Sequence, residues 1–284
     1  MAIRTDLAVE ARELYPSFEG VKELKTTKKG LKITRIEIET EEAAAKLGKK
    51  VGRYVTVEAR RLPDIDPEPY SHIPEVLESE LAPFFSGASS YLIVGLGNRC
   101  VTADSLGPEV ADRMLVTRHI VKYLPEALDT DTPSVSAVTP GVLGTTGIET
   151  SELARAAVEC VKPDIVIAVD SLAALKTNRI AAAVQFSNTG IAPGSGVGNI
   201  RAGLEKETLG AEVIAIGAPL VVYASTIVHE TAGEDAAIPK DMEELVVTPK
   251  EIDRLVRISA DAIAEGISRA IFGSRYEELK LLIQ

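Results

Sequence analysis

The stretch Tyr91-Leu-Ile-Val-Gly-Leu-Gly-Asn-Arg-Cys-Val-Thr-Ala-Asp-Ser-Leu-Gly-Pro108 decides the reading of the fold. Tyr91 to Val94 is a short apolar run rich in branched residues, which predicts a buried strand. Gly95 and Gly97 then let the backbone turn sharply and let other groups approach closely. Pro108 suits the first position of a helix, where a missing N–H costs nothing. The segment therefore predicts strand, glycine turn, loop and helix. Asp104 falls in the loop that leaves the carboxyl end of the strand, where open α/β sheets collect ligands and chemistry.

A second stretch, Pro163-Asp-Ile-Val-Ile-Ala-Val-Asp-Ser-Leu172, carries the other half of the argument. Ile165 to Val169 reads as a central parallel strand that stops on Asp170. Two carboxylates at the carboxyl ends of two strands would face each other across one crevice. Each aspartate also has a plainer explanation, as a cap that accepts from the backbone N–H groups of a following helix.

Outward from these two strands, alternating Leu31 to Glu39 and Val51 to Arg61 predict paired, half-exposed strands around a short helix at 40–47. The proline-rich run 62–74 reads as a loop or linker, followed by a helix over 73–85. A helix at 108–123, a strand at 134–139, a turn-rich segment at 140–147 and a helix at 150–161 complete the middle of the chain. Strands are expected at 181–186 and 212–216, a surface loop at 229–247, and an amphipathic helix from 248 to about 272. Residues 1–20 are polar and show no period. The fold class is α/β: a mostly parallel sheet with helices on both faces and a small N-terminal β-α-β appendage at about 20–62.

Composition narrows the function. The chain has 284 residues and a net charge of −11, which argues against a phosphate-tracking nucleic-acid binder. It contains no tryptophan and few aromatic residues on which single-stranded bases would stack. Two cysteines make a disulfide framework a poor reading and a reducing, cytoplasmic setting the better one. No apolar run approaches the roughly 18 residues of a membrane span.

The glycine loops fail the nucleotide tests. Gly95-Leu-Gly-Asn98 lacks the third glycine of the dinucleotide fingerprint, and Gly194-Ser195-Gly196 lacks the Lys-Ser/Thr that follows a phosphate loop. Tight turns around a crevice explain both as well as ligand binding does. No His-Glu-x-x-His helix supports a zinc protease, and no Gly-x-Ser-x-Gly elbow supports a serine hydrolase. Asp104 and Asp170 remain. As a pair sharing one site they would give an acid and a base near neutrality; as ligands they would hold a divalent metal. A non-enzymatic peptide- or nucleotide-binding module built on the glycine loops stays open beside them.

Longer blocks narrow this further. Val94-Gly-Leu-Gly-Asn98, Thr102-Ala-Asp-Ser-Leu-Gly-Pro108, Thr146-Gly-Ile-Glu-Thr150, Asp170-Ser-Leu-Ala173 and Thr189-Gly-Ile-Ala-Pro-Gly-Ser-Gly-Val-Gly-Asn199 together resemble the germination proteases of spore-forming bacteria. The resemblance implies an atypical aspartic endopeptidase, with Asp104 and Asp170 as the essential pair and no cofactor. It implies small acid-soluble spore proteins as substrate, a homotetramer, and the spore core as location, with no nucleic acid or membrane partner. It also implies a fold similar to hydrogenase-maturation peptidases, of phosphorylase/hydrolase-like type. Gly95, Gly97, Asn98, Thr146, Gly194, Ser195 and Gly196 would line the substrate cleft. Arg4-Thr-Asp-Leu-Ala-Val-Glu10 looks like a self-processing site, cut between Asp6 and Leu7. Residues 1–6 would then be a pro-segment, and 7–284 a single peptidase domain. The sequence departs from the family pattern at Leu220 and Tyr223.

Overall fold

The structure, a computed structural model, describes residues 5–60, 62–63, 65–192, 203–233, 236–239, 242 and 244–283. One sheet organises them. Its strands are β1 (Val21–Lys28), β2 (Leu31–Ile38), β3 (Gly52–Glu58), β4 (Ser90–Gly95), β5 (Ser134–Val138), β6 (Ile165–Ala174), β7 (Ala183–Ser187), β8 (Glu212–Tyr223) and β9 (Val246–Val247). They lie in the order β1-β2-β3-β7-β8-β6-β4-β5, with β9 beside β8. Strands β8, β6, β4 and β5 run parallel, whereas β1, β2, β3 and β7 form an antiparallel wing. The N-terminal β-α-β region thus continues the main sheet through the β3–β7 pairing.

Period-two burial makes the central strands apolar on both faces. Tyr91 and Ile93 of β4, with Ile165, Ile167 and Val169 of β6, enter the core beneath the helix Ile252–Phe272. Leu92, Val94, Val166 and Ala168 enter a second core beneath the helix Thr150–Val161. Side chains alternate across a strand, so helices on both faces are what such runs require. Each fully buried Ile, Val or Leu contributes about 1.5–3 kcal/mol.

Several expectations are revised. The helix expected over 108–123 is two, Leu106–Arg113 and Arg118–Tyr123, so Pro108 is its third residue rather than its first. β6 does not stop on Asp170 but runs on to Ala174, paired to β8 throughout. β8 likewise runs seven residues beyond Ile216. Part of the expected loop 229–247 is the end of a helix, Ala224–Ala232. The N-terminus also differs: residues 8–14 form a helix whose Ala8, Val9 and Ala11 are buried. Strand β1 was hidden because all but its first residue are exposed at the sheet edge, leaving no apolar alternation to read. Among the described residues no helix is long and apolar enough to cross a membrane.

Candidate active site

The two aspartates are brought together by backbone contact between β4 and β6. Leu96 N–H donates to the carbonyl of Val169 (2.8 Å), which sets the turn after β4 directly beside Asp170. Gly107 makes this possible. A Cβ there would lie 2.3 Å from the Leu96 oxygen and 2.4 Å from the Val169 oxygen. Asp104 is held from the other side: Asn98 N–H donates to both its carbonyl and its carboxylate, each at 2.9 Å. Gly97, at φ +109°, lies under that contact, and a Cβ on it would meet the Asp104 carbonyl at 2.0 Å. Gly97→Ala is therefore expected to destabilise the fold by about 1–3 kcal/mol and to push Asp104 out of place. Thermal unfolding and a cleavage assay on the same preparation check this; an alanine variant with native stability would show that the turn tolerates a side chain.

Asp170 is buried, 6% exposed. Its Oδ1 accepts the N–H of Ser171 at 2.9 Å. Burial raises its pKa well above the usual carboxylate value of 3.8, the negative charges of Asp104 and Asp6 add to the rise, and the Ser171 N–H opposes it. A carboxylic acid that holds its proton above the usual carboxylate range can donate it. Since β6 continues, no helix follows for Asp170 to cap, and the plainer reading of this residue falls away.

Both carboxylates line a cavity of about 620 Å3. In register, Asp170 of β6 lies opposite Gly217 of β8, Gly217 opposite Gln185 of β7, and Gln185 opposite Thr56 of β3. These four form one row across the sheet. Their neighbours Val169, Ile216, Val184, Phe186, Val55 and Val57 all belong to the first core, so the row faces the opposite side. Gly217 puts a gap in the row between Gln185 and Asp170.

Asp6 also lines the cavity. Asp6 N–H donates to the carbonyl of Ala173 (3.0 Å), and Ala173 N–H donates to the Asp6 carboxylate (2.8 Å). The bulge between Leu172 and Ala173 marks this point of β6; bulges are common beside active sites. The half-buried Lys49 ammonium donates to the carbonyl of Thr5 at 2.8 Å. Burial lowers the Lys49 pKa, against the charges of Asp6 and Glu10. Gln185 spans the following peptide: its Nε2 donates to the Asp6 carbonyl (3.0 Å), and its Oε1 accepts the Ala8 N–H (2.7 Å). Leu7 is fully buried.

Beyond the cavity, the fully buried Glu10 accepts the N–H groups of Leu175 (2.6 Å) and Lys176 (3.0 Å). Arg179 joins Glu10, Glu13 and Glu58, at 3.3, 2.6 and 2.7 Å. The N-terminal tail is thus a docked segment, where the sequence suggested an aperiodic one.

Of the other expected cleft residues, Gly97 and Asn98 line the cavity. Gly95 packs beneath it against Gly107. Thr146 is exposed and directs its hydroxyl to the carbonyls of Val142 and Ile148. Gly194, Ser195 and Gly196 lie outside the described residues. Leu220 and Tyr223 are buried in β8 and are not part of the described lining. Lys49 and Gln185 were missed. Gln185 had a legible signal, as one amide inside the apolar run Ala183-Val-Gln-Phe186. Among the described residues no group of three or more His, Cys, Asp or Glu is placed to hold a metal. The donor set therefore falls short of the three protein ligands of a catalytic zinc.

A family model described as germination protease matches residues 3–233. The germination protease of Caldanaerobacter subterraneus subsp. tengcongensis is 43% identical, over 95% of this chain and 94% of its own length. That of Clostridium perfringens is 37% identical over 95% of each chain. That of Bacillus velezensis is 46% identical over 81% of this chain and 66% of its own. Among solved structures, the [NiFe] hydrogenase maturation protease HycI from Thermococcus kodakarensis is 23% identical. It covers 66% of this chain and 98% of its own, with a TM-score of 0.38.

Proposed function

Given that the chain belongs to the germination protease family, we propose that it is an aspartic endopeptidase made as a zymogen, in which Asp104 and Asp170 cut the Asp6–Leu7 bond of the chain itself. Small acid-soluble spore proteins, degraded at germination, are the proposed substrates, and a homotetramer in the spore core the proposed working form. The observation that carries this reading is the docking of Asp6 in the cavity that Asp104 and Asp170 line.

These two carboxyl groups and water account for the proton transfers. Asp104 takes a proton from a water molecule as its oxygen bonds to the carbonyl carbon. Asp170, kept protonated by burial, gives its proton to the departing nitrogen as the C–N bond breaks. The products are the Asp6 carboxylate and a free amine on Leu7.

Intact mass after incubation at mildly acidic pH tests the reading. The expected product is a chain that begins at Leu7, formed equally fast in the presence of a strong chelator. Loss of cleavage in chelator, restored by one divalent ion, would move both carboxylates to the role of metal ligands. A chain that stays whole while it cuts a spore-protein peptide would show that Asp6–Leu7 is not a processing site.

A further inference from the structure

We infer that Gln185 is a third catalytic residue, the donor that holds the developing oxyanion when the bond after Asp6 is cut; this rests on the aspartate-pair reading above.

Peptide hydrolysis needs more than an acid and a base. As water adds, the carbonyl oxygen becomes negative, and a fixed N–H aimed at it lowers the barrier more than most other single contributions. The side-chain amide of Gln185 is the donor in place. Its Nε2 lies 3.0 Å from the Asp6 oxygen, the carbonyl of the bond in question. Its Oε1 accepts the Ala8 N–H at 2.7 Å, one residue past that bond. One amide therefore grips the peptide on both sides of the Asp6–Leu7 linkage and fixes its orientation.

Three features keep that amide still. Gln185 is 7% exposed, so little water competes for it. Its strand is paired on both sides, to β3 and to β8. The Ala8 N–H, which can only donate, fixes Oε1 as the acceptor and leaves Nε2 to point at the carbonyl, and the Thr56 hydroxyl adds a second contact to Oε1 at 3.3 Å. A preorganised dipole of this kind does not have to reorient as charge develops.

The row across the sheet supplies the spacing. Gln185 and Asp170 sit on next-but-one strands with Gly217 between them. Two strand spacings put their backbones roughly 10 Å apart, room for one peptide group with a donor on one side and an acid on the other. Any side chain at Gly217 would narrow this gap.

The test follows the first-order self-cleavage of the full chain by intact mass, for wild type, Gln185→Leu and Gln185→Asn. Leucine removes the donor; asparagine keeps the amide but withdraws it by one carbon, and stands in if the leucine variant fails to fold. Hydrogen exchange at the Ala173 amide, which donates to the Asp6 carboxylate, reports whether the segment remains docked. The expected result is a rate lower by about 100- to 1,000-fold with Ala173 still protected and the pH at which the rate peaks unmoved, since Gln185 does not titrate. A folded variant that cuts at the wild-type rate overturns the proposal. So does a slow variant whose Ala173 amide has become exchangeable, because Gln185 would then only dock the segment. Asp104→Asn and Asp170→Asn run alongside. If they cut at the wild-type rate, the aspartate-pair reading fails and takes this proposal with it; if the wild-type chain never cuts itself, the Asp6–Leu7 processing site fails and takes this proposal with it. If they stay whole while Gln185→Leu cuts normally, the Gln185 proposal alone fails.

Discussion

Asparagine at position 104 or 170 is expected to slow peptide-bond cleavage by about 100- to 10,000-fold while the chain stays folded. The double variant should be scarcely worse than either single one, because groups that act as a unit are lost as a unit. The two single variants should part company in stability. Burial, then the charges of Asp104 and Asp6, hold the pKa of Asp170 well above 3.8. An unfolded chain releases this proton as the pH climbs past about that value, whereas the folded chain keeps it. Between the two values the native state binds more protons, so stability falls as pH rises and is fully restored below the unfolded value. Asp170→Asn removes that penalty, worth about 1.4 kcal/mol for each unit by which the pKa is raised. The variant should therefore melt above the wild type at neutral pH, with the gap closing toward pH 3. Equal melting temperatures across that range would mean that Asp170 is not held protonated.

Arg179→Leu is expected to cost about 3–5 kcal/mol, because removing one partner of a buried ion cluster leaves the others charged and dry. Glu10 is wholly buried, and the Glu58 side chain is only 12% exposed. In melting temperature this amounts to a fall of roughly 6–20 °C for a chain of this size. The cluster also has a pH signature. Burial opposes ionisation of Glu13, but hydrogen bonds from Arg179 and Lys176 outweigh it and bring its pKa from 4.5 to about 2. The stability this contributes is present above 4.5 and drains away as the pH falls toward 2. Differential scanning calorimetry of the variant at several pH values checks both statements. A melting point within about 2 °C of wild type would make the cluster ornamental.

Much of the central sheet could be read from residue types alone. Strands β4 and β6 announce themselves as branched apolar runs, and the helix Thr150–Val161 falls where the sequence put it. The pairing of Asp104 with Asp170 was legible because both follow such runs. Strand ends were less legible. Asp170 interrupts an apolar pattern, and only pairing with β8 carries the strand through it. The processing motif at residues 4–10 was legible, but the helix Ala8–Leu14 and the bonds that anchor it were not. Asp6 and Glu10 look solvent-loving in a one-dimensional reading, but their partners are Ala173, Leu175 and Arg179, more than 160 positions away. Polar residues satisfied at long range leave no local period to find.

The anchoring of Glu10 has a kinetic consequence. With the helix Ala8–Leu14 fixed by Arg179 and the N–H groups of Leu175 and Lys176, Thr5 and Asp6 hang from a tether only a few residues long. Their local concentration at the cleft is then on the order of millimolar or higher, whatever the concentration of the protein. The proposed cut after Asp6 would leave the helix anchored by Glu10 and free the segment that precedes Leu7 from its tether. On the proposed self-processing, the segment before Leu7 would compete with outside peptides at that local concentration before the cut and only at its own dilution after it.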